Sequence, residues 1–265
     1  MDPISKRMFE SAGQHGPLVL MYHSVTPGKS TPRWKWAVSY QSFCDQLDLL
    51  LLHGWSTVRF SDLASLSNIP PKSVAITFDD GYADNYAAFE ALKSRSMCAT
   101  WFIVSKDIGS ISSWSDPDSP KLPMLSVEQL HEMHSAGMEI GAHSRSHARL
   151  PQLNSTDLAD EVSGALDELS QAMGFSIKSF AYPYGLFNDQ VVEAVKNAGY
   201  EVACTTRSGW ALKNTDLFRI KRLSVYAQDD LNTFARKLAF IDNEASWGKL
   251  LKYAFSRLVN RLSPR

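Results

Sequence analysis

Three short runs in this chain combine residue types that can hold a cation or move a proton. Thr77-Phe78-Asp79-Asp80-Gly81-Tyr82 places two adjacent carboxylates where an apolar stretch ends. Neighbours on a strand point to opposite faces, so both can serve one site only where the chain turns, and Gly81 offers that turn. Carboxylates this close repel and call for a cation or a shared proton. An Asp ahead of a helix is also an ordinary N-cap; the pair followed by glycine is what points to chemistry. Gly141-Ala142-His143-Ser144-Arg145-Ser146-His147 sets two histidines four apart. On a helical turn that spacing brings both imidazoles to one side, as a divalent metal requires. Ala181-Tyr182-Pro183-Tyr184-Gly185 reads as a fixed turn able to aim a backbone N–H, although alone it is an ordinary Pro-Tyr-Gly turn. Tyr22-His23-Ser24 adds a single histidine, a type more often structural than catalytic when it stands alone.

The elements around these runs give them a common address. Leu18–Tyr22, Ser73–Phe78, Ala99–Val104, Met138–Ala142, Ser179–Tyr182, Glu201–Thr205 and Arg219–Val225 read as short strands. Among them, Leu18–Tyr22 is a continuous apolar run, as suits a strand covered on both faces. Between them, 42–52, 82–94, 126–136, 155–173 and 189–198 read as helices, and another starts near Asp229. Ser126 with Gln129 three residues on is a capping-box signal, and Gly199 fits a helix C′ position. Strand–helix alternation predicts parallel strands with helical crossovers. The expected class is α/β, a distorted (β/α) TIM-like barrel of about seven strands, with an open doubly wound sheet as the alternative. His23, Asp79, Asp80, His143 and Tyr184 then all fall at C-terminal strand ends, where barrel enzymes keep their catalytic groups. One carboxylate and two imidazoles form a mixed oxygen–nitrogen set that leaves metal positions open for water and substrate. His15, His53, His131 and His134 lie in the N-terminal stretch or on helices and receive no role.

Bulk properties narrow the class. The chain has 265 residues, 44% hydrophobic and 21% charged, with a net charge of −1. Such a balance argues against a nucleic-acid binder, which usually carries a basic excess. Cys44, Cys98 and Cys204 are odd in number and far apart, as reduced thiols are. Neither a signal-peptide core nor a run of the ~18 apolar residues of a membrane span is apparent, which leads to the expectation of a cytoplasmic protein. Two long loops, 24–37 with Trp34 and Trp36 and 105–125 with Trp114, could stack on a sugar or merely anchor to the core. The organisation expected is a tail over 1–16, a barrel over 17–240 and a basic amphipathic helix over 241–265. The last 21 residues hold five basic and no acidic side chains. Such a helix either lies on an anionic membrane, giving peripheral contact, or packs on the barrel.

TFDDG, HSRSH and AYPYG, in this order and at these separations, resemble the first three motifs of the polysaccharide deacetylases. That family is carbohydrate esterase family four, also called the NodB homology domain. The resemblance covers about 18–238. It implies a distorted (β/α) barrel and a hydrolase that removes acyl groups, usually acetyl, from N-acylated sugars. It implies Asp79 as catalytic base, and Asp80, His143 and His147 as ligands of a divalent metal, zinc being the expected ion. It implies Tyr184 as the residue whose backbone N–H helps form an oxyanion hole. The partner implied is an N-acetylated glycan. Two departures stand out. The third motif usually begins with an Arg that orients the base, and here that position is Ala181, so another group must hold Asp79. The usual late histidine is absent, whereas Leu20-Met21-Tyr22-His23 resembles the N-terminal strand of a subgroup active on poly-N-acetylglucosamine-type polymers, which makes His23 the candidate acid. Alternatives are a deformylase or deacetylase of a small or lipid-linked sugar, and a non-catalytic carbohydrate-binding relative.

Overall fold

The structure, a computed structural model, describes residues 1–14, 16–65, 69–115, 119–211, 216–246, 248 and 251. In chain order the elements are α1 (Pro3–Glu10), β1 (Leu18–Tyr22), β2 (Ser24–Thr26), β3 (Ala37–Ser39), α2 (Tyr40–Leu52), β4 (Ser56–Val58) and β5 (Ser73–Phe78). There follow α3 (Asn85–Lys93), β6 (Thr100–Ile103), α4 (Val127–Ser135), β7 (Glu139–Ala142), α5 (Ser155–Ala159), α6 (Ala165–Met173) and β8 (Ser179–Ala181). The last are α7 (Asp189–Ala198), β9 (Val202–Cys204), β10 (Leu223–Ser224) and α8 (Leu231–Phe240).

The main sheet runs β10-β1-β5-β6-β7-β8-β9, with every pair parallel. A short strand absent from the sequence reading, β4, pairs with the first half of β5, on the edge that β6 occupies further along. The stretch 220–224 joins the two ends of the path. Ile220 bridges to Cys204, while Leu223 and Ser224 pair with Leu20 and Met21 of β1. The sheet therefore curls into the distorted barrel of about seven strands that the sequence predicts.

Both faces of the central strands are covered, and β1, LVLMY, reads as an unbroken apolar run for that reason. Trp101 and Ile103 pack outward beneath the helices, whereas Phe102 joins Val19, Ala75, Ala181, Cys204 and Ile220 in the lumen. A 3-10 turn over Phe60–Ala64 sends Phe60 and Leu63 into the same lumenal cluster. Helix starts follow local chemistry. Ser126 caps α4 in a complete capping box with Gln129, Asn188 caps α7, and Gly199 ends it in a left-handed conformation.

Several expectations change. The stretch 1–16, expected to be a tail, contains α1, capped by Asp2 and preset by Pro3. Phe9 of α1 is fully buried against His53 and Trp55, so an amphipathic segment too polar to look like core docks through one aromatic. The loop 24–37 is bounded by β2 and β3, a two-stranded parallel sheet of its own. The helix expected over 155–173 is interrupted by a π-helical turn at Asp160–Gly164. Residues 241–246 form turns beyond α8, and the remainder of the basic amphipathic helix lies outside the described residues save 248 and 251. Among the described residues no helix is long and apolar enough to cross a membrane.

Candidate active site and metal centre

The strands deliver the marked residues to one end of the barrel. The Asp79 N–H continues the β1–β5 ladder by donating to Tyr22 O at 2.9 Å, and the His143 N–H continues the β6–β7 ladder by donating to Ile103 O at 2.8 Å. Past Asp79 the chain turns sharply. Asp80 and Gly81 have φ of 76° and 89°, and the Gly81 N–H bonds back to Asp79 O at 3.0 Å. Gly81 takes a positive φ that side chains rarely adopt, and a Cβ there would come within 2.8 Å of Ile103 Cδ1, so glycine suits this turn. The turn lets consecutive carboxylates serve one site, and both are buried.

The two histidines converge by another route than the one expected. Residues 143–147 form a loop rather than a helical turn. Ser144 and His147 both take left-handed backbone conformations, φ 60° and 62°. Ser144 Oγ accepts the His147 N–H at 3.0 Å, and this bond locks the loop. Such strained backbone persists only where the surroundings over-determine it. Here Glu161, presented by the π-helical turn, accepts the N–H groups of Arg145 at 3.1 Å and Ser146 at 2.9 Å, and the Ser146 hydroxyl as well. Arg145 in turn pairs with Asp160 at 2.7 Å and Glu168 at 2.6 Å on the adjacent helical stretch. The π turn is thus the feature that aims Glu161 at the histidine loop.

Asp80, His143 and His147 each offer a ligand atom within 4.8 Å of the others. Asp80 Oδ1 lies 3.5 Å from His143 Nε2 and 3.3 Å from His147 Nε2. The same oxygen is buried and makes no hydrogen bond that meets normal geometry, as is His147 Nδ1. Orphaned buried donors and acceptors of this kind suit a cation rather than an empty core. His143 Nδ1 donates to Ala181 O at 2.7 Å, which leaves Nε2 as the ligand atom. Burial pushes the His143 imidazole down to about 4 despite the Asp79 and Asp80 charges, so it is neutral and ready to coordinate. Burial would raise Asp80, yet the close His147 imidazole, with the charges of His23 and His143, holds it well below the usual carboxylate range. The residues present fit a divalent ion on a mixed N/O set.

Asp79 is held by a residue the sequence did not single out. Arg222, fully buried on the closing stretch between β9 and β10, donates from Nη1 to Oδ1 at 2.6 Å and from Nη2 to Oδ2 at 2.7 Å. Its remaining donors reach Thr77 Oγ1 at 3.1 Å and Thr205 O at 3.0 Å. This is the planar two-bond pairing in which Arg excels. Burial would raise the Asp79 carboxyl, but Arg222 and the neighbouring histidines keep it lowered and ionised. Arg222 supplies from another strand what Ala181 cannot. Nothing in the sequence set it apart: the strand Arg219–Val225 also carries Arg219 and Lys221, so Arg222 read as one of three basic side chains.

These groups line one cavity of about 220 Å3 together with His23, Tyr184, Thr206 and three tryptophans. Trp114 lies 4.7 Å from the His147 ring, and Trp36 lies 4.7 Å from the His23 ring. Trp34 meets Tyr82 edge-on at 5.9 Å. Tyr184, at φ 58°, sets its ring 4.5 Å from His147. His23 is fixed through its backbone by Asn85, whose Nδ2 donates to His23 O at 2.7 Å, and His23 Nδ1 is buried without a partner. Burial lowers its pKa, while Asp80 and Asp79 work in the opposite direction. All six residues marked from the sequence therefore meet here.

Comparison with known proteins follows the same lines. A family model described as polysaccharide deacetylase matches residues 67–203. A poly-beta-1,6-N-acetyl-D-glucosamine N-deacetylase of Staphylococcus epidermidis is 27% identical over 222 residues, 79% of this chain and 74% of its own. Crystal structures of a polysaccharide deacetylase from Bacillus cereus (TM-score 0.71, 25% identity) and of IcaB from Ammonifex degensii (TM-score 0.69, 26% identity) superpose closely. The first alignment covers 84% of this chain and 68% of that one, the second 85% and 97%.

Proposed function

Because the chain belongs to the polysaccharide deacetylase family, we propose that it hydrolyses the N-acetyl amide of a glycan of the poly-N-acetylglucosamine type, with zinc held by Asp80, His143 and His147. The observation that carries this reading is the pairing of Arg222 with Asp79 directly beside the three ligands, in a cavity walled by tryptophans. A bound divalent ion supplies Lewis-acid polarisation and makes water acidic enough to attack near neutral pH.

The chain's own residues do the rest. Asp79, ionised and fixed by Arg222, takes the proton of the water that adds to the amide carbon. Tyr184 contributes its backbone N–H to the oxyanion, a donor whose loss typically costs ~10²–10³ in rate. His23 returns a proton to the sugar nitrogen as the C–N bond breaks, because an unprotonated amine is a poor leaving group. Burial lowers the His23 pKa, while the Asp80 and Asp79 carboxylates pull it back toward the protonated form that this step needs. Water and the amide are consumed; the free sugar amine and acetate leave. Trp34, Trp36 and Trp114 stack on apolar sugar faces and exclude bulk water. A non-catalytic sugar-binding role is disfavoured by the intact base, its Arg222 clamp and the ligand set.

Acetate release from a panel of N-acetylated glycans, with chelator and with added zinc, tests the proposal. Release that depends on the metal is expected. Sugar binding with no acetate under any metal would refute it. Lipid-linked sugars in the same panel separate polymer from precursor as substrate.

A further inference from the structure

The catalytic cavity is small for a ligand pocket, below the ~300–1,000 Å3 common for such sites. It takes one sugar unit, so the rest of a glycan must leave it across the rim. A second, larger cavity of about 380 Å3 is lined by residues that adjoin those of the first along two segments of the chain. Tyr184 and Thr206 face the catalytic cavity, while Phe187 and Arg207, three and one residue further on, line the second. The two loops touch where Gly185 meets Thr206: a Cβ there would fall 2.0 Å from Thr206 Oγ1. This junction is rigid, because Arg222 donates its N–H to Arg207 O at 3.0 Å and its Nε to Thr205 O at 3.0 Å.

The chemistry of the second cavity is cationic and aromatic. The Arg207 and Arg219 guanidiniums lie 4.9 and 5.7 Å from the Phe187 ring centre, and Trp210, Lys221 and Asp216 are also in the lining. Arg219 is committed to Asp216 at 2.7 Å and Asp189 at 2.6 Å. The one carboxylate in the lining, Asp216, is taken up by Arg219, and Arg207 and Lys221 form no ion pair among the described residues, so the lining keeps an excess of positive charge. A neutral polymer has no use for it; an anion beside a sugar ring does, since charge-assisted hydrogen bonds are the strong ones.

We propose that this second cavity is a subsite for an anionic group, a carboxylate or a phosphate, on the sugar next to the one deacetylated. The inference rests on the deacetylase reading but departs from a neutral homopolymer as substrate: the N-acetylated glycan would carry an acidic group on the neighbouring sugar. Three matched N-acetylated trisaccharides test it with the zinc-loaded full chain: one neutral, one with a neighbouring uronate, one with a neighbouring phosphate. An acidic substrate should exceed the neutral one in kcat/KM by about tenfold, less so at high salt. The double variant Arg207→Gln, Lys221→Gln should lose that preference while keeping the neutral rate. Whichever acidic arm responds identifies the anion. Equal rates on all three, or a preference that survives the double variant, overturns the proposal. If no trisaccharide releases acetate, the deacetylase reading is what fails. Calorimetric titration with the two acidic trisaccharides then decides the subsite: binding lost in the double variant supports it, and absent or unaltered binding overturns it.

Discussion

Arg222 and Asp79 stand 143 residues apart and share two hydrogen bonds of 2.6 and 2.7 Å inside the barrel. The pair is fully desolvated, so its partners are unequal in what their loss would do. Arg222→Met leaves a buried carboxylate without its counter-charge, which should cost about 3–5 kcal/mol in denaturant unfolding. Arg222→Lys keeps the charge but loses the planar fork. It should fold, retain zinc by elemental analysis and release acetate about 100-fold more slowly, the scale of a slightly misplaced reacting group. A lysine variant of full activity would remove Arg222 from the positioning of the base.

An ion held by Asp80, His143 and His147 would make stability depend on metal. Zinc should raise the melting temperature of the wild-type chain, since anything that binds only the folded state stabilises it. Asp80→Asn and His147→Ala should show no such rise and no acetate release. A zinc-dependent shift of normal size in both variants would place the ion elsewhere.

Glu161 acts on the ligands from a distance, through the backbone of Arg145 and Ser146. Glu161→Gln removes its charge and one acceptor oxygen. Zinc affinity measured by competition with a chelator should fall about 10–100-fold, as is usual when groups that orient ligands are lost. Unchanged affinity would mean the strained loop holds itself.

His23→Ala should slow turnover while leaving zinc content unchanged, because His23 lies in the cavity but outside the ligand set. Restoration of part of the rate by added imidazole would locate the missing proton donor. Turnover equal to wild type would exclude His23 from the reaction.

Asp84 gives the fold a pH dependence of its own. Burial raises its carboxyl to about 6 against the hydrogen bonds of Ser24, Val25 and Asn85. Between the ordinary value near ~4 and about 6, the folded chain holds a proton that the unfolded chain has released. Stability from this group therefore falls as pH rises through that window, and the loss is complete above it. Asp84→Asn mimics the protonated acid, so it should flatten the slope and be more stable near neutral pH by about 1–2 kcal/mol, a figure discounted for the partly exposed side chain. Unfolding of the metal-free chains across the window checks this; parallel profiles for wild type and variant would clear Asp84.

What the sequence determined by itself was everything local. Apolar runs located the main strands because both their faces are covered, and Ser126 with Gln129 marked the start of α4 because a capping box is written in adjacent residues. Since each motif follows its strand directly, strand assignment alone sent Asp79, Asp80, His143 and Tyr184 to one end of the barrel. Tertiary structure decided what depends on distant partners. The histidine spacing suggested a helical turn, but Glu161, from the interrupted helix, holds those residues as a left-handed loop. Ala181 signalled a missing Arg without saying where its replacement lay. Only closure of the sheet through 220–224, with Ile220 on β9 and Leu223 on β1, carries Arg222 across the lumen to Asp79. A charge buried by closure has no periodicity or spacing to announce it, since its partner is chosen by which strands become neighbours.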